Sequence, residues 1–496
     1  MEISYENDMI TPSRGSTSII GRAKEIKKLR QIMASHVPEF LVVYGRRRVG
    51  KTYLIREHFA SELVFDFTGS YNADMQSQLA NFFHEYLTRT KGQKETTPPE
   101  SWTQAFQYLV DYIKSLEPGR QKKVVFIDEL PWLDTPRAGF VSALEYFWNQ
   151  HLSKMRHVIL IGCGSATSWI RKKLLRAKGG LYNRVTQRMK LEPFTLAETE
   201  DYCRFRRLKL SRYQLLQLYM SMGGIPHYLK ELVPGKSADQ LIDEICFDGN
   251  GLLNEEYFSL YHSLFKNPEN HLTIIETLGA RPNGLTRKDI VSYSKLADGG
   301  TINRTLEDLA ESGFITRFKP YLKKTKDSIY KLTDLYSLFY IKFIKPANFV
   351  GEGAWKALAT SPSYNAWAGY AYETICMMHI DQIKKSLGID GVYTEMSAWK
   401  FYGNEEFPGA QIDLLIDRRD QIINLCEAKF TNKEFALTKS YVADLRRKRS
   451  VFEQVTGTKK SVFTTLITTY PAMQNRYYLE EVQSEVTMDA LFVSAS

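Results

Sequence analysis

Residues 40–52 combine the residue types that hold a chain of phosphates. An apolar run leads into Gly45, and Gly50, Lys51 and Thr52 complete a Gly-xxxx-Gly-Lys-Thr spacing. In such a loop the glycines let backbone N–H groups surround the anion, the lysine reaches the β- and γ-phosphates, and the threonine hydroxyl binds Mg²⁺. The spacing predicts a site for a nucleoside triphosphate with Mg²⁺, formed by Gly45, Val49, Gly50, Lys51, Thr52 and Tyr53.

Residues 124–127 form a second short apolar run, which ends in two adjacent acids, Asp128 and Glu129. Parallel strands bring their carboxyl ends to the same edge of a sheet, so we expect these acids beside the phosphates. We assign Asp128 to the Mg²⁺ shell and Glu129 to polarisation of the attacking water, a carboxylate that a hydrolase needs and a passive binder does not. A solvated turn is the alternative for an acidic pair at a strand end.

A second candidate site lies near the C-terminus. Residues 411–417 and 421–430 predict two apolar strands joined by a charged turn, a hairpin that brings Asp413 close to Glu427. Two carboxylates and Lys429 then converge, which is the set that metal-assisted phosphodiester cleavage requires. Asp413 and Glu427 would bind Mg²⁺, and Lys429 would position the attacking water or the developing charge.

Strand-like and helical patterns alternate through the first part of the chain. Besides the two apolar runs, they predict strands over 63–67 and 158–163 and helices over 75–88, 101–116 and 138–152. Such alternation predicts an α/β fold with a parallel, helix-covered sheet.

Length and composition bound the class of protein. A chain of 496 residues exceeds what one hydrophobic core usually serves, so roughly two to four domains are expected. The 66 Lys and Arg against 56 Asp and Glu give a net charge of +10, which permits contact with nucleic acid without requiring it. The five cysteines are scattered, which suggests neither a disulfide framework nor a zinc site. Without a signal-like N-terminus or a membrane-length apolar run, we expect a cytoplasmic protein without membrane contact.

Five short motifs stand in order along the first half of the chain: Ile-Gly-Arg-Ala-Lys-Glu at 20–25, Tyr-Gly-Arg-Arg-Arg-Val-Gly-Lys-Thr at 44–52, Ile-Asp-Glu at 127–129, Gly-Cys-Gly-Ser at 162–165 and Gly-Gly-Ile-Pro at 223–226. Together they resemble the motifs of the archaeal and bacterial AAA-type ATPases related to the STAND class. The motifs follow the family's order and cover roughly the first half of the chain.

The resemblance implies further site residues. It places Gly21 and Arg22 near the adenine and ribose, makes Ser165 a sensor of the γ-phosphate or its water, and lets Pro226 close over the nucleotide from a helical lid. It also implies an arginine near the γ-phosphate, from the same or a neighbouring subunit, for which Arg184 is the first candidate. Local turns, helix caps and a surface salt bridge are the structural alternatives for these residues.

From His271 onward the pattern changes to short helical pieces over 272–278, 285–291 and 300–315. Residues 319–332 follow and predict two strands around a charged turn. Three helices and a hairpin resemble a winged helix. A DNA-binding version would use Thr301, Asn303 and Arg304 at the start of the recognition helix and Lys323, Lys324 and Lys326 on the wing. A packing or relay module is the alternative.

Asp413 followed by Glu427-x-Lys429 resembles the PD-(D/E)XK nucleases. The helix-compatible residues 364–387 and 439–455 and the strand-like residues 461–467 match that family's order of helix, three strands, helix and strand. Glu373 falls at its auxiliary acidic position, whereas Ile412 replaces a proline, a variation that leaves the metal ligands intact. The basic run 446–449 would meet a phosphate backbone or form a solvated helical face. A strand pair ending in solvated charges is the alternative for the site as a whole.

These patterns predict an α/β fold class with a P-loop parallel-sheet ATPase core at 15–195, a helical lid at 196–266, a winged-helix domain at 267–340 and an α/β PD-(D/E)XK nuclease-like domain at 347–496. The predicted function is Mg²⁺-dependent ATP hydrolysis coupled to a metal-dependent nuclease. Its expected partner is nucleic acid, with DNA favoured, in mobile-element handling or defence. The competing hypothesis is a regulatory switch whose C-terminal domain binds a protein or nucleic-acid partner without cleaving it. The oligomeric state stays open, with a homo-oligomer among the alternatives.

Overall fold

The computed structural model describes residues 19–91, 97–116, 122–176, 183–347, 351 and 353–494. The predicted domain limits at residues 15 and 496 lie outside this part of the chain. Within the described ranges the chain forms two five-stranded sheets, a three-stranded sheet and a two-stranded sheet, together with many helices. No helix in the described ranges is long and apolar enough to cross a bilayer.

The first sheet is parallel throughout, as predicted for the ATPase core. Side chains alternate between its faces: Leu41 and Val43 pack into one hydrophobic core, and Phe40 and Val42 pack into another. The sheet is therefore covered on both sides, which explains its nearly continuous apolar strands. In spatial order the strands are Leu63–Thr68, Lys123–Asp128, Val158–Gly164, Glu39–Tyr44 and Gln187–Lys190.

One strand separates the phosphate loop from the acidic pair. Val158–Gly164 lies between Glu39–Tyr44, which leads into the loop, and Lys123–Asp128, which ends in the acids. Because all three strands are parallel, their carboxyl ends meet at one edge of the sheet. Ser165, the residue that follows the inserted strand, is thereby placed between the loop and Glu129.

Helices cover this sheet. They are Ala23–Ala34, Lys51–His58, Met75–Arg89, Trp102–Ser115, Leu130–Leu133 and Phe140–Tyr146, followed by Thr167–Ile170. The helix predicted over 138–152 begins only at Phe140, because Gly139 adopts a left-handed conformation with φ 63°. It changes to a π-helical turn at Phe147–His151.

Residues 196–264 are helical. The α-helices are Leu196–Phe205, Arg212–Met222, Pro226–Leu229, Ala238–Ile242 and Leu252–Leu264. Capping boxes at Thr195, Ser211 and Ser237 begin three of them, so the N-cap side chain and the third helical residue satisfy backbone N–H groups that lack intrahelical partners. We call this segment the lid.

Residues 269–334, here the middle unit, contain three helices and a small antiparallel sheet. The helices are Glu269–Gly279, Arg287–Ser294 and Gly300–Glu311, and the strands in spatial order are Leu285–Thr286, Ile329–Leu332 and Ile315–Phe318. This is the element order that a winged helix requires.

Two details of the sequence prediction for the middle unit were wrong. The helix predicted from residue 285 starts at Arg287, because Thr286 is its N-cap and forms a capping box with Asp289. The two residues before the helix, Leu285–Thr286, form a short strand. The first hairpin strand is Ile315–Phe318 and ends before Pro320, which has no N–H to donate to a neighbouring strand.

The second large sheet is mixed. In spatial order its strands are Ser484–Thr487, Ser461–Thr468, Ile422–Lys429, Ala410–Arg418 and Thr394–Phe401. The first three are parallel, and the last three form antiparallel pairs. The predicted hairpin, the helix Lys439–Thr456 and the strand Ser461–Thr468 are confirmed. The helix predicted over 364–387 is interrupted: Pro362–Met378 ends at His379, and Ile380–Ser386 follows.

Smaller elements complete the fold. They are the helices Leu335–Phe339, Ala354–Leu358, Arg476–Glu481 and Met488–Leu491 and the paired short strands Phe435–Ala436 and Ala472–Met473. Ala354–Leu358 packs on the lid, because Trp355 stacks on Phe247 with ring centroids 5.9 Å apart and Asp243 accepts the Trp355 backbone N–H at 2.7 Å.

His379 joins the helix Pro362–Met378 to the lid. Its Nε2 accepts the backbone N–H of Leu196 at 3.0 Å, and its Nδ1 lies 2.9 Å from the carbonyl oxygen of Ile375. Burial lowers the pKa of His379 to about 4. Between about pH 6.5 and 4 the His379 imidazole is therefore neutral in the folded protein, whereas the same imidazole is protonated in the unfolded chain.

We expect this histidine to make the fold acid-sensitive. As pH falls from 6.5 to 4, the unfolded chain gains a proton that the folded chain does not, so up to about 3 kcal/mol of stability should be lost. Melting temperatures measured across this range should fall less steeply for His379→Gln, which keeps a polar side chain but does not titrate. An identical acid dependence in both proteins would contradict the assignment.

Candidate functional site

The phosphate loop has the backbone that its glycines require. Gly45 has φ 148°, and a Cβ there would lie 2.2 Å from the carbonyl oxygen of Leu191, so only glycine fits. Gly50 has φ 88° and caps the helix Lys51–His58. A helix N-terminus with open backbone N–H groups thus borders the cavity described below, as an anion site needs.

Lys51 lies at the centre of this loop and is buried. Its Nζ donates hydrogen bonds to the carbonyl oxygens of Gly45 at 3.1 Å and Arg46 at 2.9 Å and to the Ser165 hydroxyl at 3.0 Å. The ammonium is held where the β- and γ-phosphates of a nucleotide are expected.

Thr52 and Asp128 form the oxygen pair predicted for Mg²⁺. The Thr52 hydroxyl donates to Asp128 Oδ2, and the other oxygen of Asp128 accepts the backbone N–H of Glu129 at 2.8 Å. A hydroxyl and a carboxylate are hard oxygen donors, so this pair fits Mg²⁺, which usually binds one or two protein oxygens together with substrate phosphates and waters.

Glu129 and Ser165 form the core of a polar network. Ser165 donates to the two Glu129 carboxylate oxygens, from its hydroxyl at 2.6 Å and from its backbone N–H at 3.1 Å. Glu129 also has a left-handed backbone, φ 49° and ψ 49°, which non-glycine residues seldom adopt. The Lys51–Ser165–Glu129 chain thus links the phosphate-binding cation to the carboxylate assigned to the water.

A cavity of about 740 Å³ opens beside this network. Many of the residues predicted from the sequence for the nucleotide site line this cavity. They are Arg22, Val49, Gly50, Lys51, Thr52, Tyr53, Glu129, Ser165 and Pro226. Pro226 begins the lid helix Pro226–Leu229. Gly21 and Gly45 do not line the cavity; Gly21 instead packs against Glu198.

Arg22 has a structural role that its motif did not reveal. Its guanidinium donates to the carbonyl oxygens of Val49 at 3.0 Å and Glu192 at 2.7 Å and stacks over the ring of Phe194 at 4.5 Å. Its backbone N–H donates to Glu198 at 2.9 Å. Arg22 therefore fastens the phosphate loop to the start of the lid, besides lining the cavity.

Arg184 lies near the amino ends of the parallel strands, whereas the phosphate loop follows a carboxyl end. Arg184 is exposed and precedes the amino end of the strand Gln187–Lys190, which runs parallel to Glu39–Tyr44. The two positions are separated by about a strand length, roughly 20 Å. Arg184 cannot reach the γ-phosphate of its own chain, so the prediction stands only in its neighbouring-subunit form.

The three consecutive arginines of the loop contact three different parts of the protein. Arg46 forms a buried ion pair with Asp334, at the end of the middle unit. Arg47 lies over the Trp132 ring at 5.6 Å, within the core. Arg48 forms an ion pair with Glu256 of the lid at 2.7 Å. The loop is thus linked directly to each neighbouring segment.

Sequence reasoning missed an aromatic and basic wall of the cavity. The residues of this wall are Phe194, just before the lid, and Tyr202, Phe205, Arg206 and Lys230 within the lid. Tyr202, Phe205 and Arg206 are spaced by three and four residues, the spacing of one helix face, and this was the available signal. The aromatic side chains of this wall suit a nucleotide base, and its two cations suit a phosphate.

The second candidate site assembles on the mixed sheet. The pairing of Leu414 with Cys426 places Asp413 and Glu427 on adjacent strands, and a register shift between Ile412 and Leu415 falls at Asp413 on the other side. A cavity of about 40 Å³ is lined by residues that include Glu373, Asp413, Glu427 and Lys429. We call these four residues and their cavity the acidic site. The four residues singled out from the sequence thus lie around one cavity.

Glu427 is surrounded by donors. Lys429 Nζ lies 3.3 Å from its Oε1, the Tyr441 hydroxyl donates to Oε1 at 3.1 Å, and Lys448 Nζ donates to Oε2 at 3.1 Å. Tyr441 and Lys448 were not expected from the sequence. Their spacing of seven residues, two turns of the helix Lys439–Thr456, places them on one face and was the available signal.

Asp413 and Glu373 have their own partners. Asp413 accepts a hydrogen bond from Gln411, two residues earlier on the same strand. Lys331 of the middle unit lies 3.6 Å from Glu373. Burial and the nearby Asp413 raise the pKa of Glu373 to about 7.

The acidic site has the oxygen donors that Mg²⁺ prefers, and its cavity has room for an ion with a water. Within the described ranges, however, no group of three or more His, Cys, Asp or Glu side chains is arranged to hold a metal ion. Any site here would rest on the two carboxylates Asp413 and Glu427.

The basic run 446–449 is not a free cationic patch. Arg446 and Arg449 pair with Glu481 at 2.9 and 2.8 Å, and Arg447 pairs with Asp444. Lys448 binds Glu427, as described above. These charges are paired within the fold, which favours the alternative of an ion-paired helical face over contact with a phosphate backbone.

The middle unit leaves its predicted DNA-contacting residues accessible. Thr301, Asn303, Arg304, Lys323, Lys324 and Lys326 are all exposed. The C-terminal end of the same helix, Gly300–Glu311, contacts the ATPase core, where Arg171 lies 2.8 Å from Glu311. The hairpin also contacts the second sheet, because the Tyr321 N–H donates to Ala398 at 2.9 Å.

Comparisons with known proteins agree with the first site. Residues 19–232 match a family described as an ATPase domain predominantly from Archaea. An uncharacterized protein of Methanocaldococcus jannaschii is 26% identical over 442 residues, which cover 86% of this chain and 91% of that protein.

Two solved structures resemble this chain. A Walker-type ATPase of Pyrococcus abyssi has a TM-score of 0.46 at 16% identity and covers 67% of this chain and 98% of its own. The ORC2 protein of Aeropyrum pernix has a TM-score of 0.40 at 14% identity, with 70% and 96% covered. The family match, the parallel sheet and the geometry around Lys51 together show that this chain contains a P-loop ATPase domain.

Proposed function

We propose that the protein is an Mg²⁺-dependent, AAA/STAND-like ATPase whose nucleotide state controls a metal-dependent nuclease in its C-terminal part. Nucleic acid, with DNA favoured, would be the substrate, in mobile-element handling or defence. The convergence of Glu373, Asp413, Glu427 and Lys429 around one cavity carries the nuclease part of this proposal.

The hydrolytic step is assigned to the residues around Lys51. Bound Mg²⁺ would supply charge neutralisation at the β- and γ-phosphates, with Thr52 and Asp128 as its protein ligands. Glu129 would orient the attacking water, and Ser165 would hold the Glu129 carboxylate until the γ-phosphate is in place. The aromatic wall at Phe194 and Tyr202 would take the base.

The cleavage step is assigned to the acidic site. A divalent ion bound by Asp413 and Glu427 would neutralise the scissile phosphate and acidify a water. Lys429, 3.3 Å from Glu427, is close enough to orient that water. The overall charge of +10 and the exposed lysines of the wing favour an anionic polymer as the partner.

The regulatory switch remains the second candidate, and one observation favours it. Three donors already surround Glu427, and the cavity beside it is only about 40 Å³. A Glu427 carboxylate so fully compensated would have to exchange these donors before an ion and a nucleic-acid strand entered together. A domain that keeps this arrangement solely for binding a partner would not need to reorganise.

A cleavage assay separates the two functions. The purified full chain, with Mg²⁺ or Mn²⁺ and with or without ATP, should cleave single- or double-stranded nucleic acid, and Asp413→Ala should reduce cleavage at least about 100-fold. ATP hydrolysis should be retained in this variant because Asp413 lies on the other large sheet. Absence of cleavage under all conditions, with ATP hydrolysis intact, would favour the switch.

A further inference from the structure

A short segment of the middle unit contacts both candidate sites. Lys331 lies on the strand Ile329–Leu332 and Asp334 follows that strand, three residues later. Asp334 pairs with Arg46 of the phosphate loop, whereas Lys331 reaches Glu373 of the acidic site. Three extended residues span only about 10 Å.

Burial gives both contacts weight. Lys331 is 6% exposed, Asp334 is 4% exposed and Arg46 is 5% exposed. Charges removed from water to this extent depend on their partners, since a buried ion left unpaired costs several kcal/mol. A change at one end of the segment therefore cannot be absorbed by solvent, as it would be at a surface ion pair.

The segment is also held firmly between its two ends. The backbone N–H groups of Thr333 and Asp334 both donate to the carbonyl oxygen of Phe314 at 3.0 Å. Asp334 also caps the helix Leu335–Phe339 by accepting the Ser337 N–H at 3.0 Å. A displacement of Asp334 would therefore be carried along the strand and into this helix.

The phosphate loop provides a reason for such a displacement. The Arg46 carbonyl accepts from Lys51, the residue expected to turn toward phosphate when nucleotide binds. In addition, within the described ranges, the Arg46 nitrogens Nε and Nη2 have no hydrogen-bond partner. Arg46 thus has two donors that a second arrangement of the loop can use.

A second contact joins the middle unit to the acidic site. The Asn283 side chain donates to Gln411 at 3.4 Å, and Gln411 donates to Asp413. Two of the acidic side chains, Glu373 and Asp413, are therefore reached from the same unit through different residues.

We propose that Lys331 is a positioning residue of the acidic site and that residues 331–334 transmit the nucleotide state of the phosphate loop to it. This inference rests on the proposed function and specifies its regulation. Lys331 acts by holding Glu373 beside Asp413, and Asp334 ties that arrangement to Arg46. Nucleotide binding then changes the affinity of the acidic site for a divalent cation.

The test measures Mn²⁺ binding to the full chain by calorimetry, with and without a non-hydrolysable ATP analogue. The component that depends on the acidic site is obtained by subtracting the isotherm of Asp413→Ala under each condition. In the unaltered protein we expect the analogue to change the Mn²⁺ dissociation constant of this component by about five-fold or more, the usual scale of coupling between sites.

Three variants and a control locate the coupling. Lys331→Met keeps a long side chain without its charge and should reduce the change to less than about two-fold, while Lys331→Arg should restore it. Asp334→Asn keeps the helix cap but loses the ion pair, so it should also uncouple the sites. Lys342→Met, at an exposed position, should leave the coupling intact.

Each remaining outcome decides a different question. Full coupling in folded Lys331→Met protein would overturn the inference, as would an unaltered protein whose Mn²⁺ affinity ignores the analogue. If Lys331→Met does not fold, Asp334→Asn decides in its place. Lack of any Asp413-dependent Mn²⁺ binding in the unaltered protein would reject the proposed nuclease itself, and the inference with it.

Discussion

Lys51→Ala protein should lose nucleotide binding by at least about 100-fold, because the substitution removes a charge-assisted contact to two phosphates. Glu129→Gln should instead bind ATP normally and hydrolyse it at least about 100-fold more slowly, since a glutamine cannot polarise the water. Binding measured with a fluorescent nucleotide and turnover measured by phosphate release should therefore separate the two residues.

Matched substitutions outside the cavity control for nonspecific effects. Lys24→Ala, on the exposed side of the helix Ala23–Ala34, and Glu145→Gln, on the helix Phe140–Tyr146, should change neither binding nor turnover. If Glu129→Gln hydrolyses ATP at the parental rate, the carboxylate has been assigned wrongly, and Glu129 serves only to hold Ser165. Two hydrogen bonds from Ser165 to the Glu129 carboxylate are the contacts through which Glu129 would hold Ser165.

The arrangement of the candidate nucleotide site was largely predictable because its residues are concentrated in short segments. Loop, acidic strand end and Ser165 each follow a buried strand, and parallel strands bring such ends together whatever lies between them. Arg184 shows where this reasoning stops. Arg184 precedes the strand Gln187–Lys190, whereas the phosphate loop follows the parallel strand Glu39–Tyr44. The two therefore lie at opposite ends of neighbouring strands.

Contacts between distant parts of the chain could not be predicted in this way. Arg46 pairs with Asp334, and Lys331 contacts Glu373, because of how separate parts of the chain pack together. Local sequence patterns do not predict such packing. Likewise, the basic run 446–449 suggested a nucleic-acid surface, but its partner Glu481 lies more than thirty residues away in the sequence. Helix and strand types were predictable, whereas their ends depended on Thr286, Pro320 and His379.

The acidic site should bind metal and cleave through different residues. Asp413→Ala and Glu427→Ala should each weaken Mn²⁺ binding to the nucleotide-free full chain by at least about ten-fold, because each removes a carboxylate ligand. Lys429→Ala should retain metal binding and lose cleavage, since an ammonium has no lone pair to offer a metal. Calorimetry and a cleavage assay on the same preparations measure both properties.

The hairpin itself offers the controls. Asp420→Ala, in the exposed turn between the two strands, and Lys433→Ala, just after the second strand, remove the same kinds of charge without entering the cavity. Because Lys429 also neutralises Glu427, its loss should if anything tighten metal binding. Weaker Mn²⁺ binding in Lys429→Ala would thus mean that the lysine holds Glu427 in place rather than acting on the water. Absence of metal binding in the folded, unaltered chain would leave the regulatory switch as the better account.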